Sequence, residues 1–316
     1  MRLLSVSSGF TLIEMMISIS LSVLLFLGGY HVYFEYIHQN MVIHQLADIQ
    51  LRGEAALQLL TDNIREAGFW GELTPLPVSA VQWRLPAVRY YCDISSLNHV
   101  DYPSKSKWPL PLIVSDVPLG YRKRGCVGSA RVPLVAHSLI VSVLHLSGPY
   151  SRDRSSIVHL KTFLKRGMFT TQQNNLSTSS KGQLWRYQHQ WFFITRNKQV
   201  PELRRVYLSN KGIEGENQGA IVKGIERIEA RLAVCRKGRL IWLQVKQLSD
   251  DDWSRLVALH LGLLVRALHP DSGYINDHLY QIAGVKVGRF HDHYRRLSME
   301  QVSWLANMAE HTKCEI

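Results

Sequence analysis

Residues 10–34, FTLIEMMISISLSVLLFLGGYHVYF, are decisive for the fold because they form one long apolar run. At about 1.5 Å per residue, the stretch from Phe10 to Tyr30 makes a helix of roughly 32 Å, enough to cross the hydrocarbon core of a bilayer. Glu14 is the one side chain in the run that is certain to be charged at neutral pH. A carboxylate inside a membrane costs about 2.5–3.5 kcal/mol near a helix centre and less toward an end. The run therefore predicts a membrane-spanning helix with one carboxylate that needs a partner.

The position of Gly9 separates this segment from an ordinary export signal. A secretory signal has an apolar stretch of about 7–15 residues before its small residues, whereas here the small residue precedes a longer run. Cleavage after Gly9 would give Phe10 a free amine, a natural cation for Glu14. Glu14 lies too close to the helix start to fold back comfortably, which favours the amine of a neighbouring copy or relative. The alternative is a plain signal anchor with a chance glutamate.

The stretch Gly9-Phe10-Thr11-Leu12-Ile13-Glu14, with the apolar residues after it, resembles the class III signal of type IV pilins and of type II secretion pseudopilins. The resemblance implies that a prepilin peptidase and N-methyltransferase cleaves between Gly9 and Phe10 on the cytoplasmic side and methylates Phe10. It also implies that Glu14 docks a new subunit by meeting the free amine of the one before it. Residues 1–9 would then be a leader peptide, and residues 10–34 the transmembrane and filament-core helix.

The helical pattern continues beyond the membrane without a proline until Pro75. Steps of three or four residues define one apolar stripe, made by Val42, Leu46, Ile49, Gly53, Ala56, Leu60, Ile64 and Ala67. Residues 35–71 are therefore predicted to be the amphipathic half of a helix that runs from about residue 11 to 67 over roughly 85 Å. Gly28-Gly29 is its weak point, because each glycine costs about 1 kcal/mol in a helix interior.

Two further segments are similar to minor pilins of the PilW type. The first, NIREAGFWG at residues 63–71, resembles the I-R-x-A-G-[YF]-x-G segment that closes the long helix in that family. An amphipathic helix end with a glycine cap is the alternative. The second, residues 219–268, has the family's order of a V-x-G-I-E-x-I strand, a tryptophan and a V-x-A-L-x-L-x-L-L-V-R strand. Residues 291–307 take the place of the closing segment, whereas residues 72–218 carry no such motif.

The head domain, residues 72–316, is predicted to be rich in antiparallel strands. Apolar or alternating runs mark them, at residues 78–91, 112–117, 138–146, 156–164, 184–195, 226–234, 240–245 and 257–268. The turn at 236–239 predicts a hairpin, and residues 250–252, all aspartates, are predicted to cap a short helix before Trp253. The expected fold class is α+β and pilin-like, with a long N-terminal helix packed on an antiparallel β-sheet head.

The chain has four cysteines, and in an exported domain a disulfide is the default expectation for a pair of them. Cys92 and Cys126 bracket a proline- and lysine-rich loop and are a candidate pair. Closing a loop of about 35 residues would stabilise by roughly 3–4 kcal/mol. Cys235 and Cys314 are left to pair with each other or to remain free. No two cysteines have CxxC spacing, so a zinc site is not expected.

An alternating aromatic row in the predicted strand at 184–195 is a candidate binding face. It consists of Trp185, Tyr187, His189 and Trp191. Such residues can stack on nucleotide bases or grip sugars, but more often they form a sheet face packed beneath a loop.

Charge suggests a second kind of ligand. The formal net charge of +12 favours acidic partners such as DNA or anionic cell-surface polymers. Basic clusters lie at 105–107, 152–154 and 236–239, and Arg122, Lys123 and Arg124 are the candidate contacts. Nonspecific electrostatics is the alternative.

Catalysis is not expected from the motifs in the chain. It has no P-loop, GxSxG, HExxH or Rossmann glycine pattern. His291-Asp292-His293 is the tightest histidine cluster, but a solvated pair is favoured over a metal site. The aspartates at 250–252 lack the spaced ligands and the glycine of an EF-hand loop. No catalytic residue, cofactor or metal is predicted, and an anchored enzyme is the least favoured function.

The PilW resemblance implies a minor pilin that joins other minor pilins at the filament tip and primes polymerisation of the major pilin. Its expected place is the bacterial inner membrane as a single-pass protein with a periplasmic head, and later an extracellular pilus. Arg2 in the short leader agrees with a cytoplasmic N-terminus. The alternatives are a J-type pseudopilin of type II secretion, and a pilin that acts as a DNA or surface receptor in uptake or adhesion.

Overall fold

The computed structural model describes residues 11–73, 110–116, 133–150, 158–163, 166–170, 182–209, 212–215, 220–309 and 314. Its α-helices are α1 (Leu12–Glu66) and α2 (Ala306–Ala309), and short 3-10 turns lie at Gly71–Leu73, Val245–Gln247 and Asp250–Arg255. Its strands in the first half of the head are β1 (Leu112–Asp116), β2 (Leu139–Tyr150), β3 (His159–Phe163), β4 (Arg166–Thr170), β5 (Gln183–Asn197), β6 (Val200–Ser209) and β7 (Gly212–Gly215). The later strands are β8 (Val222–Lys223), β9 (Ile225–Arg236), β10 (Arg239–Gln244), β11 (Leu256–Arg266), β12 (Leu279–Ile282), β13 (Val285–Gly288) and β14 (Arg296–Trp304).

The chain divides into two compact units, with the division between Asp48 and Ile49. In the first unit, the described helical residues are largely exposed. In the second unit, α1 continues as the helix of the head and buries one stripe, formed by Ile49, Gly53, Ala56, Leu57, Leu60, Thr61 and Ile64. The predicted helix and the later part of its stripe are confirmed, whereas Leu46 is 41% exposed. Gly28 and Gly29 remain helical.

A four-stranded antiparallel sheet, which we call the second sheet, packs against this part of α1. Its strand order is β10-β9-β11-β14, and the predicted hairpin is the β9–β10 pair, whose turn lies at Lys237-Gly238. Alternate residues of β9 and β11 join α1 in one apolar core, to which Ile228, Leu232, Leu261 and Val265 contribute. A Cβ at Gly53 would collide with Met299 Sδ, so glycine allows the helix to lie close to the sheet.

The other sheet, which contains β1 to β8 and is called the first sheet, is organised around the long strand β5. β2 pairs antiparallel along one side of β5, while β3 and β6 share the other side, at residues 183–186 and 190–197 respectively. Among the described residues, β1 extends the sheet beyond β2, β4 extends it beyond β3, and β7 and β8 both pair with β6. The predicted strands at 112–117, 138–146, 156–164 and 184–195 are confirmed, with shifted ends. The predicted strand at 78–91 lies outside the described residues.

A small hairpin, β12–β13, covers part of the second sheet on the face away from α1. Ile282, Val287 and Leu264 form its apolar contact with the sheet. Gly262 permits this approach, because a Cβ there would collide with Ile282 and would lie 3.2 Å from the backbone nitrogen of Ala283. The sequence patterns did not predict this hairpin.

The short helical turn Asp250–Arg255 differs from the expectation for its aspartates. Ser249 is the N-cap residue, and Asp252 lies in the first turn. The backbone N–H of Ser249 donates to Asp252 Oδ2 at 2.8 Å, and Arg236 Nε donates to Asp252 Oδ1 at 2.9 Å. The hydrogen bond from Arg236 is the main reason why the pKa of Asp252 is well below its usual range. The prediction that the aspartates cap this turn was therefore wrong. Ser249 is the N-cap residue, and Asp252 accepts a hydrogen bond from its backbone N–H.

Candidate assembly surfaces

The first candidate surface is the N-terminal start of α1. Thr11 precedes the helix, and both its backbone N–H and its hydroxyl donate to Glu14 Oε2 at 2.9 Å. The backbone N–H of Glu14 is 3.4 Å from Thr11 Oγ1, so the pair forms a reciprocal capping box. The carboxylate thus has a local partner that the sequence analysis missed. The Thr-x-x-Glu spacing is the signal that could have revealed it.

The surface of α1 after Glu14 is apolar and exposed. Leu12, Ile13 and Leu25 are each at least 66% exposed. Within the described residues, this is the one helix long and apolar enough to cross a membrane. The hydroxyls of Ser18, Ser20 and Ser22 donate to the carbonyls four residues earlier at 2.7, 2.7 and 2.8 Å. Bonds of this kind satisfy polar groups inside a helix that lies in lipid or in an apolar filament core.

A group of aromatic side chains follows the apolar run. The Tyr30 and Phe34 rings lie 4.4 Å apart, and the Tyr33 and Phe34 rings lie 6.2 Å apart. Tyrosines are enriched where a membrane helix reaches the headgroup region. These rings therefore suit the boundary between lipid and water.

The second candidate surface is the end of the long helix, where the chain passes onto the first sheet. Gly68 adopts a φ of +80° and donates its backbone N–H to Leu144 O at 3.1 Å. Phe69 packs edge-on against Trp185 at 5.7 Å between ring centroids. Gly71 has a φ of +60°, and a Cβ there would lie 2.6 Å from Trp185 Cε2. The two glycines therefore allow the helix end to fit against a large ring.

The candidate aromatic row on β5 is interior. Trp185, Tyr187, His189 and Trp191 are at most 6% exposed. Trp70 and Leu73, from the end of the helix, pack in the same apolar cluster. The more common interpretation, a packed sheet face, is therefore the correct one, and the row is not available to stack on a nucleotide base or a sugar.

A buried ionic network ties the strands of the second sheet to the loop before β14. Arg296 donates to both oxygens of Glu226 and, at 2.6 and 2.7 Å, to both oxygens of Asp292. The Arg296 side chain is 1% exposed. Burial opposes its charge, but the hydrogen bonds with Asp292 and Glu226 outweigh burial and raise the pKa of Arg296. Arg266 lies 3.8 Å from Glu226 and donates to Gln199 O at 2.7 Å, so the network also reaches the first sheet.

A small cavity of about 110 Å³ lies beside the same sheet. Asp116, Glu229, Arg227 and Lys246 are among its lining residues. Lys246 lies 3.2 Å from Asp116, and Arg227 pairs with Glu229. Burial raises the pKa of the Glu229 carboxyl, although Arg227 opposes this. Each carboxylate of the cavity thus already has a cation beside it.

The histidine cluster at 291–293 is spread among separate partners. His291 Nδ1 lies 2.6 Å from Asp277 Oδ1, while Asp292 is bound by Arg296. His293 Nδ1 is 2.7 Å from Tyr274 O. In the part of the chain that the structure describes, no group of three or more acidic, histidine or cysteine side chains is arranged to hold a metal ion.

Cys235, at the end of β9, forms a disulfide with Cys314, with their Cα atoms 5.7 Å apart. This joins residue 314 covalently to the second sheet. The candidate pair Cys92 and Cys126 lies outside the described residues.

Several other predicted site residues also lie outside the described ranges, namely Gly9, Phe10, Arg122, Lys123 and Arg124. Of the basic clusters, the structure describes 236–239, where Arg236 pairs with Asp252.

Comparison with known protein families gives two matches, one at the N-terminus of the chain and one in its C-terminal half. Residues 4–30 match the prokaryotic N-terminal methylation motif. Residues 191–307 match the family of type IV pilus-assembly protein W, PilW. The second match begins within β5 and ends in α2, so it starts earlier than the resemblance found at 219–268 and includes the closing segment at 291–307. No curated protein and no solved structure matches the chain.

The methylation motif implies processing by prepilin peptidase and assembly with other pilins, and it is consistent with a membrane-anchored pilin that is later incorporated into a pilus. The family matches point to a structural, non-enzymatic protein. Together with the long apolar helix and the antiparallel head, the matches at residues 4–30 and 191–307 support a PilW-like type IV minor pilin.

Proposed function

We propose that this protein is a minor pilin that initiates assembly of a type IV pilus and stays at its tip. The observation that carries the proposal is the exposed apolar helix with Glu14 in its first turn. An apolar helix of this length needs either lipid or other helices around it. A minor pilin has both in turn, since it is anchored in the membrane first and joins a helical filament core afterwards.

Glu14 is proposed to exchange partners during assembly. In the free chain its carboxylate accepts two hydrogen bonds from Thr11. The methylated amine of Phe10 in a neighbouring subunit would be a cationic donor, and it would add to the hydrogen bond an attraction between opposite charges that is strong where water is excluded. The capping box would therefore hold the carboxylate until the stronger partner arrives.

The proposed orientation puts the leader in the cytoplasm and the head in the periplasm. The disulfide between Cys235 and Cys314 supports it, because disulfides persist in oxidising compartments such as the periplasm. The aromatic group around Tyr30 would mark the outer boundary of the lipid. Residues 1–9 would be removed as the leader, and residues 72–316 would form the exported head.

Mass spectrometry of the mature N-terminus tests the processing step. Cells with prepilin peptidase are expected to contain a chain that begins at a methylated Phe10. Cells without the peptidase, and cells with a Gly9→Leu chain, are expected to retain Met1. Cleavage elsewhere, or an intact Met1 in cells with the peptidase, would exclude a pilin-type subunit.

Deletion of the chain then tests the assembly step. Loss of surface pili and of twitching, with restoration by the wild-type chain but not by Glu14→Leu, is the expected result. Thr11→Val, which removes the hydroxyl of the capping box but leaves Glu14, is the matched control and is expected to restore pili. Loss of enzyme secretion with normal pili would indicate a J-type pseudopilin instead.

A further inference from the structure

The second sheet carries an exposed aromatic surface on the side away from α1. The strand register pairs Trp242 with Ala233, Ala233 with Ala258, and Ala258 with Trp304. These four residues form one row across β10, β9, β11 and β14. The row spans three strand spacings, about 14 Å. We refer to the row together with Val302 as the Trp face.

The orientation of the Trp face follows from its neighbours. Leu232, Val234 and Leu259 lie one position away along their strands and pack in the core with α1. Because side chains alternate along a strand, the Trp face points the other way. Trp242 and Trp304 are 38% and 46% exposed, and Val302 is 44% exposed. The two alanines between the indoles are buried, so the face consists of two partly exposed indole rings with small, buried side chains between them.

The charges beside the Trp face are tied to one another. Arg231 Nη2 lies 3.3 Å from His260 Nδ1, and His260 Nε2 lies 2.8 Å from Glu300 Oε2. The other oxygen of Glu300 accepts the backbone N–H of Ala283 at 2.7 Å. This chain of contacts links the sheet to the tip of the β12–β13 hairpin. The Trp face itself is uncharged, and Arg231, His260 and Glu300 border it on the same side of the sheet, with the His260 ring 6.1 Å from that of Trp242.

The charge pattern decides between classes of partner. A nucleic acid or an acidic polysaccharide binds through several cations that neutralise its own charges. The Trp face contains none, and Arg231 in the adjoining row is already bonded to His260. A second copy of this chain would carry the same formal net charge of +12, and like net charges suppress association. An uncharged aromatic surface instead fits the apolar centre of a protein interface, where tryptophan contributes most to affinity.

We propose that the Trp face docks the head of a different pilin-class subunit, one that is neutral or acidic and presents its own apolar patch. This proposal rests on the proposed function, because a minor pilin meets such heads during filament assembly. The disulfide at Cys235, two positions along β9 from Ala233, holds the sheet end beside the face in place. A partner would therefore meet a surface that needs little ordering on binding.

Photo-crosslinking in living cells tests the proposal with the full-length chain. Val302 is replaced by p-benzoylphenylalanine, which keeps both indoles, and Leu279 is replaced in the same way as the control. Leu279 lies on β12 outside the Trp face and is 54% exposed. The expected product is a crosslink from position 302, and none from 279, to a different protein that carries its own N-terminal methylation motif, identified by mass spectrometry.

Removal of the indoles provides the second arm. Trp242→Ala with Trp304→Ala is expected to reduce the crosslink from position 302 by about tenfold or more. Trp242→Phe with Trp304→Phe is expected to retain much of it. Non-reducing electrophoresis of each variant shows whether the disulfide to Cys314, and hence the folded head, is present.

Each contrary outcome overturns the docking proposal. A crosslink to a second copy of this chain, to nucleic acid or to a polysaccharide would identify a different occupant. Equal crosslinks from positions 302 and 279, or none from either, would show that the face is not an interface. If Phe10 is methylated and pili form in the same cells, these results overturn only the docking surface. An unprocessed N-terminus overturns the proposed function as well.

Discussion

Replacement of His189 by glutamine is expected to remove a large part of the acid sensitivity of the head. His189 lies in the interior of the first sheet at 2% exposure. Its Nε2 is 2.9 Å from Ser142 Oγ, and its ring stacks on Trp191 with centroids 4.0 Å apart. Burial lowers the pKa of His189 to about 3, from an ordinary value of 6.5. Glutamine keeps an amide that can bond Ser142 but does not titrate.

The sign of the effect follows from the lowered pKa. The unfolded chain takes up a proton on His189 near pH 6.5, whereas the folded chain does so only near pH 3. The contribution to stability is therefore present in full above pH 6.5 and is lost as the pH falls from 6.5 toward 3. Each pH unit in that window corresponds to about 1.4 kcal/mol. Between pH 7.5 and pH 5, the wild-type head is expected to lose about 2 kcal/mol through this group.

Urea unfolding of the soluble head, from residue 37 onward, measures this loss at several pH values. The free energy of unfolding of His189→Gln is expected to fall by about 2 kcal/mol less than that of the wild type over the same interval. Other titrating groups act equally in both proteins and cancel in the comparison. The exposed His269→Gln is the matched control, and its curve is expected to run parallel to the wild type. Parallel curves for wild type and His189→Gln, within about 0.5 kcal/mol, would refute the reasoning.

Two further substitutions test the packing of the head by urea unfolding. Gly71→Ala is expected to cost about 1–3 kcal/mol more than Gly238→Ala, because both residues have positive φ but only a Cβ at 71 meets Trp185. Equal losses would show that the ring does not restrict residue 71. Arg296→Met is expected to cost about 3–5 kcal/mol, since it leaves the Glu226 carboxylate buried without its main cation. Addition of Glu226→Gln should recover part of that loss, whereas strictly additive losses would contradict the pairing.

The parts of the fold that were predicted correctly are those with a strong local period. The apolar run and the stripe at Ile49, Leu60 and Ile64 gave the helix with ends within about one residue. Alternation in β9 and the apolar length of β11 gave the central strands of the second sheet. Local patterns suffice there because each element buries one face or is buried throughout.

The elements that the sequence analysis missed lack such a period. β6 reads VPELRRVYLS, in which charged residues interrupt the apolar ones, although Glu202 is 3% exposed in the structure. Arg204 pairs with Glu202 at 2.7 Å, so the charges are accommodated by each other. The ionic network of Glu226, Arg266 and Arg296 was also not predicted. Its members are distant in sequence, and only the strand register brings them together.

The candidate site likewise contains features that the sequence predicts and features that it leaves open. A carboxylate is rare in an apolar run, so the sequence identifies Glu14 as a site residue. Its bonds to Thr11 follow from a different signal, the Thr-x-x-Glu spacing of a capping box. The pairing of Cys235 with Cys314 could not be derived, because spacing alone leaves the connectivity of four cysteines open.

The aromatic row of β5 and the motif at the end of the helix explain each other. The motif places Trp70, and with it Leu73 just beyond, in the cluster that contains Trp185, and the backbone carbonyl of Phe69 accepts the N–H of Leu146 at 2.9 Å. The end of the helix is thus bonded to the first sheet, while the stripe from Ile49 to Ile64 shares one apolar core with residues of both sheets, among them Val141 and Phe192 of the first and Leu232 and Val265 of the second. The part of α1 after Ile49 is therefore attached to both sheets of the head, by apolar packing along its length and by backbone hydrogen bonds at its end.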